Sequence, residues 1–277
     1  CATNLAPSHP IHEPHAMDIN NPQSLLITGA SSGIGAALAH VYAAVGVRLI
    51  LTGRDDARLE TVAQSCRKAG ASVETQTLDV TDRAAMRAWI GQAFATGPID
   101  LVIANAGISG GTGGNHSADK SPSVAPSESQ EQVEHIFNVN IGGVVNTVFP
   151  ALDEMQKAPR DSAHPRGQIA LMSSLAGFRG LPRAPAYGAS KAAVRSLGEG
   201  MRGLCARRGI RVSVICPGFV QSPMTDINPY PMPFLMTAER AAQIVRKGLA
   251  RDRARISFPW RLWALVWLMS ALPVGLT

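Results

Sequence analysis

Thr28-Gly29-Ala30-Ser31-Ser32-Gly33-Ile34-Gly35 decides the fold. It follows the apolar run Leu25-Leu26-Ile27 and opens a helical pattern from Gly33 to Val45. A strand, a glycine-rich turn and a helix in that order form the first unit of a dinucleotide-binding α/β fold. Gly29 permits the sharp turn. The small residues Ser31, Ser32 and Gly33 let backbone N–H groups approach a pyrophosphate. The helix N-terminus, entered at Ile34, favours the anion. Gly35 lets the helix lie close to the sheet. The spacing is GxxxGxG rather than GxGxxG. A purely structural turn is the alternative, and the strand–turn–helix setting weakens it.

The same rhythm extends outward from this motif. Strands are predicted at Val47–Leu51, Val73–Leu78, Ile99–Ala104, Gln168–Met172, Arg211–Ile215 and Arg255–Phe258. Helices are predicted at Asp55–Ala69, Asp82–Ala95, Gln130–Met155 and Pro185–Arg207. Apolar strands joined by crossover helices make a doubly wound parallel sheet, a Rossmann-like α/β domain over residues 23–258. Residues 1–22 carry four prolines and three histidines among polar residues and read as a disordered leader. His9, His12 and His15 there are a solvated tail rather than a metal site, and no metal is expected. Ser109–Ser129, rich in Gly, Ser and Pro, is a surface loop.

A chain of 277 residues buries a substantial core in one such domain. Its net charge of +6 is spread over scattered Lys and Arg residues, so nucleic acid is not an expected partner. The four cysteines form no CxxC pair, which points to a reducing, cytoplasmic compartment. The chain begins at Cys1 rather than Met, as a fragment or a processed product would.

The chemistry lies in Tyr187-Gly188-Ala189-Ser190-Lys191. Residues i and i+4 share a helix face, so phenol and ammonium point the same way. A tyrosine with a pKa of about 10 is a poor acid–base catalyst at neutral pH. A neighbouring cation stabilises its phenolate, and Tyr187 can then give a proton to a carbonyl oxygen or take one from an alcohol. A YxxxK pair alone is common on helix surfaces. Here Ser173-Ser174-Leu175-Ala176-Gly177 closes a strand just upstream. A hydroxyl there can bind the same oxygen and stabilise developing charge. The alternative is that both serines merely cap a loop.

With these motifs in order, the chain resembles the short-chain dehydrogenase/reductase family in its single-domain form, over roughly Ser24 to Met224. Residues 28–35 match the family's TGxxxGIG turn. Ala104-Asn105-Ala106-Gly107 matches its NNAG element, with Ala in place of the first Asn. Asn138-Val139-Asn140-Ile141-Gly142-Gly143 resembles the segment bearing the catalytic Asn. Ser174, Tyr187 and Lys191 match the catalytic serine, tyrosine and lysine. Cys216-Pro217-Gly218-Phe219-Val220-Gln221-Ser222 resembles the PG segment after the sixth strand.

The resemblance implies that Lys191 also binds the nicotinamide ribose. Asn140 would hold a water that completes a proton relay, or else brace a helix as a buried polar residue. Asn105, Ala106 and Gly107 would line the adenosine side. Asp79 and Val80 would contact adenine, with a helix cap as the equal alternative for Asp79. Pro217, Gly218 and Val220 would line the nicotinamide end, or form a simple turn. Ser222 stands where a Thr commonly meets the carboxamide.

The cofactor choice turns on strand two, which ends Leu51-Thr52-Gly53-Arg54. An acidic residue at its end would hold the ribose hydroxyls of NAD. Gly53 occupies that place, and Arg54 can pair with a 2′-phosphate. NADP is therefore favoured over NAD, although Asp55 and Asp56 could instead hold Arg54, or merely cap the next helix.

The expected function is hydride transfer between nicotinamide and a hydrophobic alcohol or ketone. The apolar lid Met224–Met236, with Ile227, Tyr230, Phe234 and Leu235, points to that substrate class. The competing classes are a non-catalytic dinucleotide-binding sensor and a nucleotide-sugar epimerase or dehydratase. The intact Ser174, Tyr187 and Lys191 count against the sensor. The epimerases usually carry a longer C-terminal substrate domain.

The tail at residues 259–277 is apolar and aromatic. Trp260, Trp263 and Trp267 fall at i, i+3 and i+7, on one face of a predicted helix. Its uncharged stretch is short for a membrane span. Two readings stay open: a helix at a membrane surface, or a helix packed on the domain or across a homodimer or homotetramer.

Overall fold

The computed structural model describes residues 18, 20–110, 128–158, 164–180, 184–228 and 231–273. The leader with its histidines, most of the loop at 109–129, and Tyr230 lie outside the described residues.

Seven strands form one parallel sheet: β1 (Ser24–Thr28), β2 (Arg48–Gly53), β3 (Ser72–Thr77), β4 (Leu101–Ala104), β5 (Gly167–Met172), β6 (Ile210–Pro217) and β7 (Arg255–Phe258). Their order is β3-β2-β1-β4-β5-β6-β7. The doubly wound Rossmann-like fold expected from the sequence is therefore present. Side chains alternate across the sheet, so each strand feeds two cores. Leu25, Ile27, Leu49 and Leu51 pack on one face against Leu38 of α1 (Gly33–Tyr42), Leu59 of α2 (Asp56–Lys68) and Val245 of α8 (Ala238–Ala250). Leu26, Ile50 and Val102 pack on the other against Ile90 of α3 (Arg83–Ala95), Val148 of α5 (Gly143–Lys157) and Val194 of α6 (Pro185–Ala206). β3 is an edge strand with polar, mostly exposed side chains, as an uncovered edge requires.

One predicted helix is divided. Gln130–Met155 is α4 (Gln130–Phe137), a π turn (Asn138–Gly142) and α5. The inserted turn holds Asn140, whose amide grips the backbone of Ile108 in both directions, at 2.8 and 2.9 Å. Gly143 then passes so close to Val80 that a Cβ would stand 2.5 Å from its Cγ2. A single inserted residue leaves the apolar stripe nearly unchanged, so periodicity cannot detect it.

A short helix α7 (Pro223–Asp226) starts the lid, and α9 (Trp260–Ala271) ends the described chain. Among the described residues no helix is long and apolar enough to cross a membrane. α9 is helical over Trp260–Ala271, so its three tryptophans share a face as expected, but that face is not uniformly exposed. Leu262, Trp263 and Val266 pack on Leu175, Val214 and Cys216, while Trp260 and Trp267 are 69% and 54% exposed. The docked stripe of α9 cuts along the edge of the tryptophan face and takes Trp263 with it.

Candidate active site

The strand order reverses beside β1 and β4, where crossovers diverge and a cleft opens at the strand ends. That cleft has a volume of about 740 Å³. Behind the cleft lies Thr28, a buried residue the motif reading gave no role. Its buried hydroxyl accepts from the N–H groups of Asn105 and Ala106, at 3.1 and 3.2 Å. Asn105 returns two bonds from its amide to the carbonyls of Thr28 and Gly29, each 3.0 Å. Asn105 thus locks the glycine turn to β4 while also lining the cleft.

The turn residues fit a dinucleotide. Gly29 and Gly33 sit at φ +66° and +54°, conformations open chiefly to glycine. A Cβ on Gly33 would come within 3.1 Å of Ser222 across the cleft. Ser31, Ser32 and Ile34 line the cleft beside them, and α1 presents its N-terminus there. Gly35 does not line it. A Cβ there would stand 2.2 Å from the Gly29 carbonyl oxygen, so Gly35 acts by closing the helix on the turn itself.

At the end of the cleft beside β2, Asp55 caps α2 and ion-pairs with Arg58 at 2.7 Å, and Asp56 accepts from Thr77. Neither carboxylate forms an ion pair with Arg54 among the described residues. Arg54 is exposed on the cleft wall. A Cβ on Gly53 would press on Ser31 at 3.0 Å, so an acidic side chain has no ready room there. Asp79 accepts from the N–H and hydroxyl of Thr81, each at 2.8 Å. Burial pushes its carboxyl up, but the Thr81 bonds and the Arg54 and His135 charges outweigh this and hold it below the usual range. The cap of α3 falls to Asp82 instead. Val80 is buried beside Asp79 on the same wall.

At the other end of the cleft stand Ser174, Tyr187 and Lys191. Lys191 is almost fully buried, and its ammonium donates to the Met172 carbonyl at 3.0 Å. It lies 5.7 Å from the centroid of the Tyr187 ring. Burial pulls its pKa down to about 8, against a small opposing pull from Cys216. The two upstream serines are distinct. Ser173 donates its hydroxyl to the Lys191 carbonyl at 2.7 Å. Ser174 faces the cleft, with a weaker 3.3 Å bond to the Pro217 carbonyl.

Asn140 spends its amide nitrogen on Ile108 and on the Ser190 hydroxyl, at 2.9 Å each. Its side chain therefore does brace the π turn. Beside it, a Cβ on Gly107 would stand 3.1 Å from both Asn140 Oδ1 and Lys191 Nζ. Glycine is thus the residue that fits closely against both polar groups. Pro217, Gly218, Val220 and Ser222 line the wall after β6. A Cβ on Gly218 would meet Leu262 at 2.8 Å, so this glycine admits α9.

Sequence reasoning also missed Glu128. Its buried carboxylate accepts from the Ala186 N–H at 2.6 Å and caps α6, because the N-cap residue itself is Ala184. No local pattern signals a cap supplied from 58 residues away.

A sequence profile described as short chain dehydrogenase matches residues 23–229. An uncharacterized oxidoreductase of Myxococcus xanthus is 38% identical over 252 residues, covering 91% of this chain and 93% of its own. A short-chain dehydrogenase from Sphingobium yanoikuyae, solved in complex with NADPH, superposes with a TM-score of 0.72 at 26% identity, covering 91% and 97% of the two chains. An actinorhodin polyketide ketoreductase solved with NADPH gives 0.70 at 25% identity, over 86% and 96%. The matched profile spans the glycine turn, the Asn140 segment and the Tyr187–Lys191 helix described above, and the chain belongs to the short-chain dehydrogenase/reductase family of NAD(P)-dependent oxidoreductases.

Proposed function

We propose that the protein is an NADP-preferring enzyme that interconverts hydrophobic ketones and alcohols, with Tyr187 as acid–base and Ser174 as second donor to the substrate oxygen. The observation that carries this is the buried Lys191 ammonium set against the Tyr187 ring, on a cleft wall shared with Ser174. The nicotinamide cofactor supplies or accepts the hydride when bound. The turn at residues 29–34 would hold its pyrophosphate, and Lys191 its nicotinamide ribose. Asp79, Val80, Asn105, Ala106 and Gly107 would line the adenosine side, and Pro217, Gly218, Val220 and Ser222 the nicotinamide side.

The substrate carbonyl oxygen receives hydrogen bonds from Ser174 and Tyr187 as negative charge develops on it. Tyr187 releases its proton to that oxygen, and the Lys191 charge stabilises the phenolate left behind. Asn140 Oδ1 and Lys191 Nζ both lie close to Gly107 on the cleft side, polar groups of the kind a relay water would bridge. Exposed Ile227, Phe234 and Leu235 in the lid favour an apolar substrate. The test is loss of reduced-nicotinamide absorbance across a panel of apolar ketones. Cofactor binding without turnover on any of them would favour the sensor class instead.

The NADP preference rests on exposed Arg54, which forms no ion pair with Asp55 or Asp56 among the described residues, and on Gly53; the NADPH-bound relatives support it. Arg54→Ala should raise KM for NADPH about tenfold, the scale of one exposed charge-assisted contact, and leave NADH nearly unchanged. Equal effects on both cofactors, or a native preference for NADH, would overturn the assignment.

We also infer that α9 rests on an anionic membrane surface. Trp260, Leu265, Trp267 and Leu268 are exposed apolar residues of one short helix, with Leu272 exposed at its end. Arg261 lies among them, and residues 253–272 hold Arg253, Arg255 and Arg261 with no acidic residue. The free, buried Cys66, Cys205 and Cys216 suit a reducing cytoplasmic setting. Deleting the tail is a poor test, because Leu262 packs on Leu175 beside Ser174. Trp260→Ser with Trp267→Ser should release the enzyme from phosphatidylglycerol vesicles and keep turnover. If the intact protein ignores vesicles, and the double variant instead dissociates a homo-oligomer, the patch is a subunit contact.

A further inference from the structure

Ser174 and Tyr187 must converge on one oxygen atom, yet they belong to different segments. Ser174 opens a 3₁₀ turn, Leu175–Gly177, after β5, and Tyr187 lies in α6. Their relative placement depends on how the turn is fixed to the helix. Three contacts do this beside the catalytic groups. Ser173 bonds the Lys191 carbonyl. Gly177 lies so close to α6 that a Cβ would stand 2.7 Å from the Lys191 carbonyl carbon. Arg195 Nε donates to the Gly177 carbonyl at 3.3 Å.

The next residue is Phe178. Arg195 lies over its ring, 4.6 Å from the centroid, and Arg255 of β7 also lies over it, at 5.3 Å. Both guanidiniums are tied to one carboxylate: Glu199 takes Arg195 at 3.3 Å and Arg255 at 2.9 Å. Lys191, Arg195 and Glu199 recur every four residues, so this cluster continues the catalytic face of α6. Each of the three charged side chains is 25–36% exposed, so an ion pair here contributes little to stability. The geometric constraint is stronger: one ring is gripped by two cations that share one anion.

We propose that Phe178, with Arg195, Arg255 and Glu199, is a positioning cluster that sets where Ser174 stands relative to Tyr187. None of the four is among the residues that line the cleft. The cluster acts through the turn. Loss of the ring lets the turn shift against α6, and a displacement on the order of 1 Å at a catalytic group costs up to about a hundredfold in rate.

The inference rests on Ser174 as the second donor, and Ser174→Ala alone tests that reading. The experiment for the cluster is a double-mutant cycle in the full chain. Phe178→Leu keeps the apolar volume and removes the ring. It should lower kcat about tenfold with the NADPH dissociation constant within about twofold, and Phe178→Tyr should restore most of the loss. In the Ser174→Ala background Phe178→Leu should have almost no further effect on kcat, because there is no hydroxyl left to misplace. Glu199→Gln, a part-exposed change that does not threaten folding, should repeat the pattern with a loss of about threefold. A full additional loss in the Ser174→Ala background would overturn the proposal. So would variants that lower Tm while kcat per cofactor-binding site stays at the wild-type value.

Discussion

Tyr187→Phe is expected to lower kcat about a hundred- to ten-thousandfold, the usual share of a positioned general acid. Only the hydroxyl is removed, and the ring continues to fill its place over Lys191. The dissociation constant for NADPH, read by fluorescence, should therefore stay within about twofold of wild type. A variant that keeps more than a small fraction of turnover would remove Tyr187 from the acid–base role. The wild type carries a matching pH signature. Lys191 loses its charge as pH rises through about 8, because burial has lowered its pKa from the ordinary 10.5. Above that pH the phenolate left by proton donation lacks its neighbouring cation. The kcat/KM for ketone reduction should then fall as pH rises through that range, and Lys191→Met should flatten the fall while lowering the whole profile.

Ser174→Ala carries the second-largest effect. One lost oxyanion donor contributes about 3 kcal/mol, on the order of a hundred- to a thousandfold in kcat. The neighbour supplies an internal control. Ser173 has its hydroxyl committed to the Lys191 carbonyl and is 1% exposed. Ser173→Ala should lower Tm by several degrees through the lost buried hydrogen bond, with a far smaller loss in kcat. If the two variants exchange these behaviours, Ser173 is the donor and the assignment of Ser174 fails.

The parts of the site read from sequence share one property: their partners lie a few residues away. The glycine turn is a local backbone demand, and Tyr187 and Lys191 are one helix turn apart. Both therefore leave a spacing in the chain. The division of labour between Ser173 and Ser174 leaves none, because a carbonyl 18 residues on decides it. The role of the Asn140 side chain depends on Ile108, and that of Gly35 on Asn105 and the Gly29 carbonyl. Such contacts depend on the folded path of the chain and leave no spacing by which to find them. The π turn escaped for another reason: it adds a residue without breaking the apolar stripe that marks a helix. In α9 the periodicity found the tryptophans on one face, but periodicity does not record where along that face a neighbouring core begins.

That last helix has an optical consequence. Three of the protein's four tryptophans sit on α9, and the fourth is Trp89 in α3. Most of the intrinsic ultraviolet emission therefore comes from a single twelve-residue segment. Two of its indoles are wet and one is packed against the cluster of Leu175, Val214 and Cys216. The colour of that emission is a native gauge of whether the tail is in water, against a lipid or protein partner, or lifted from the domain, and no dye needs to be attached to read it.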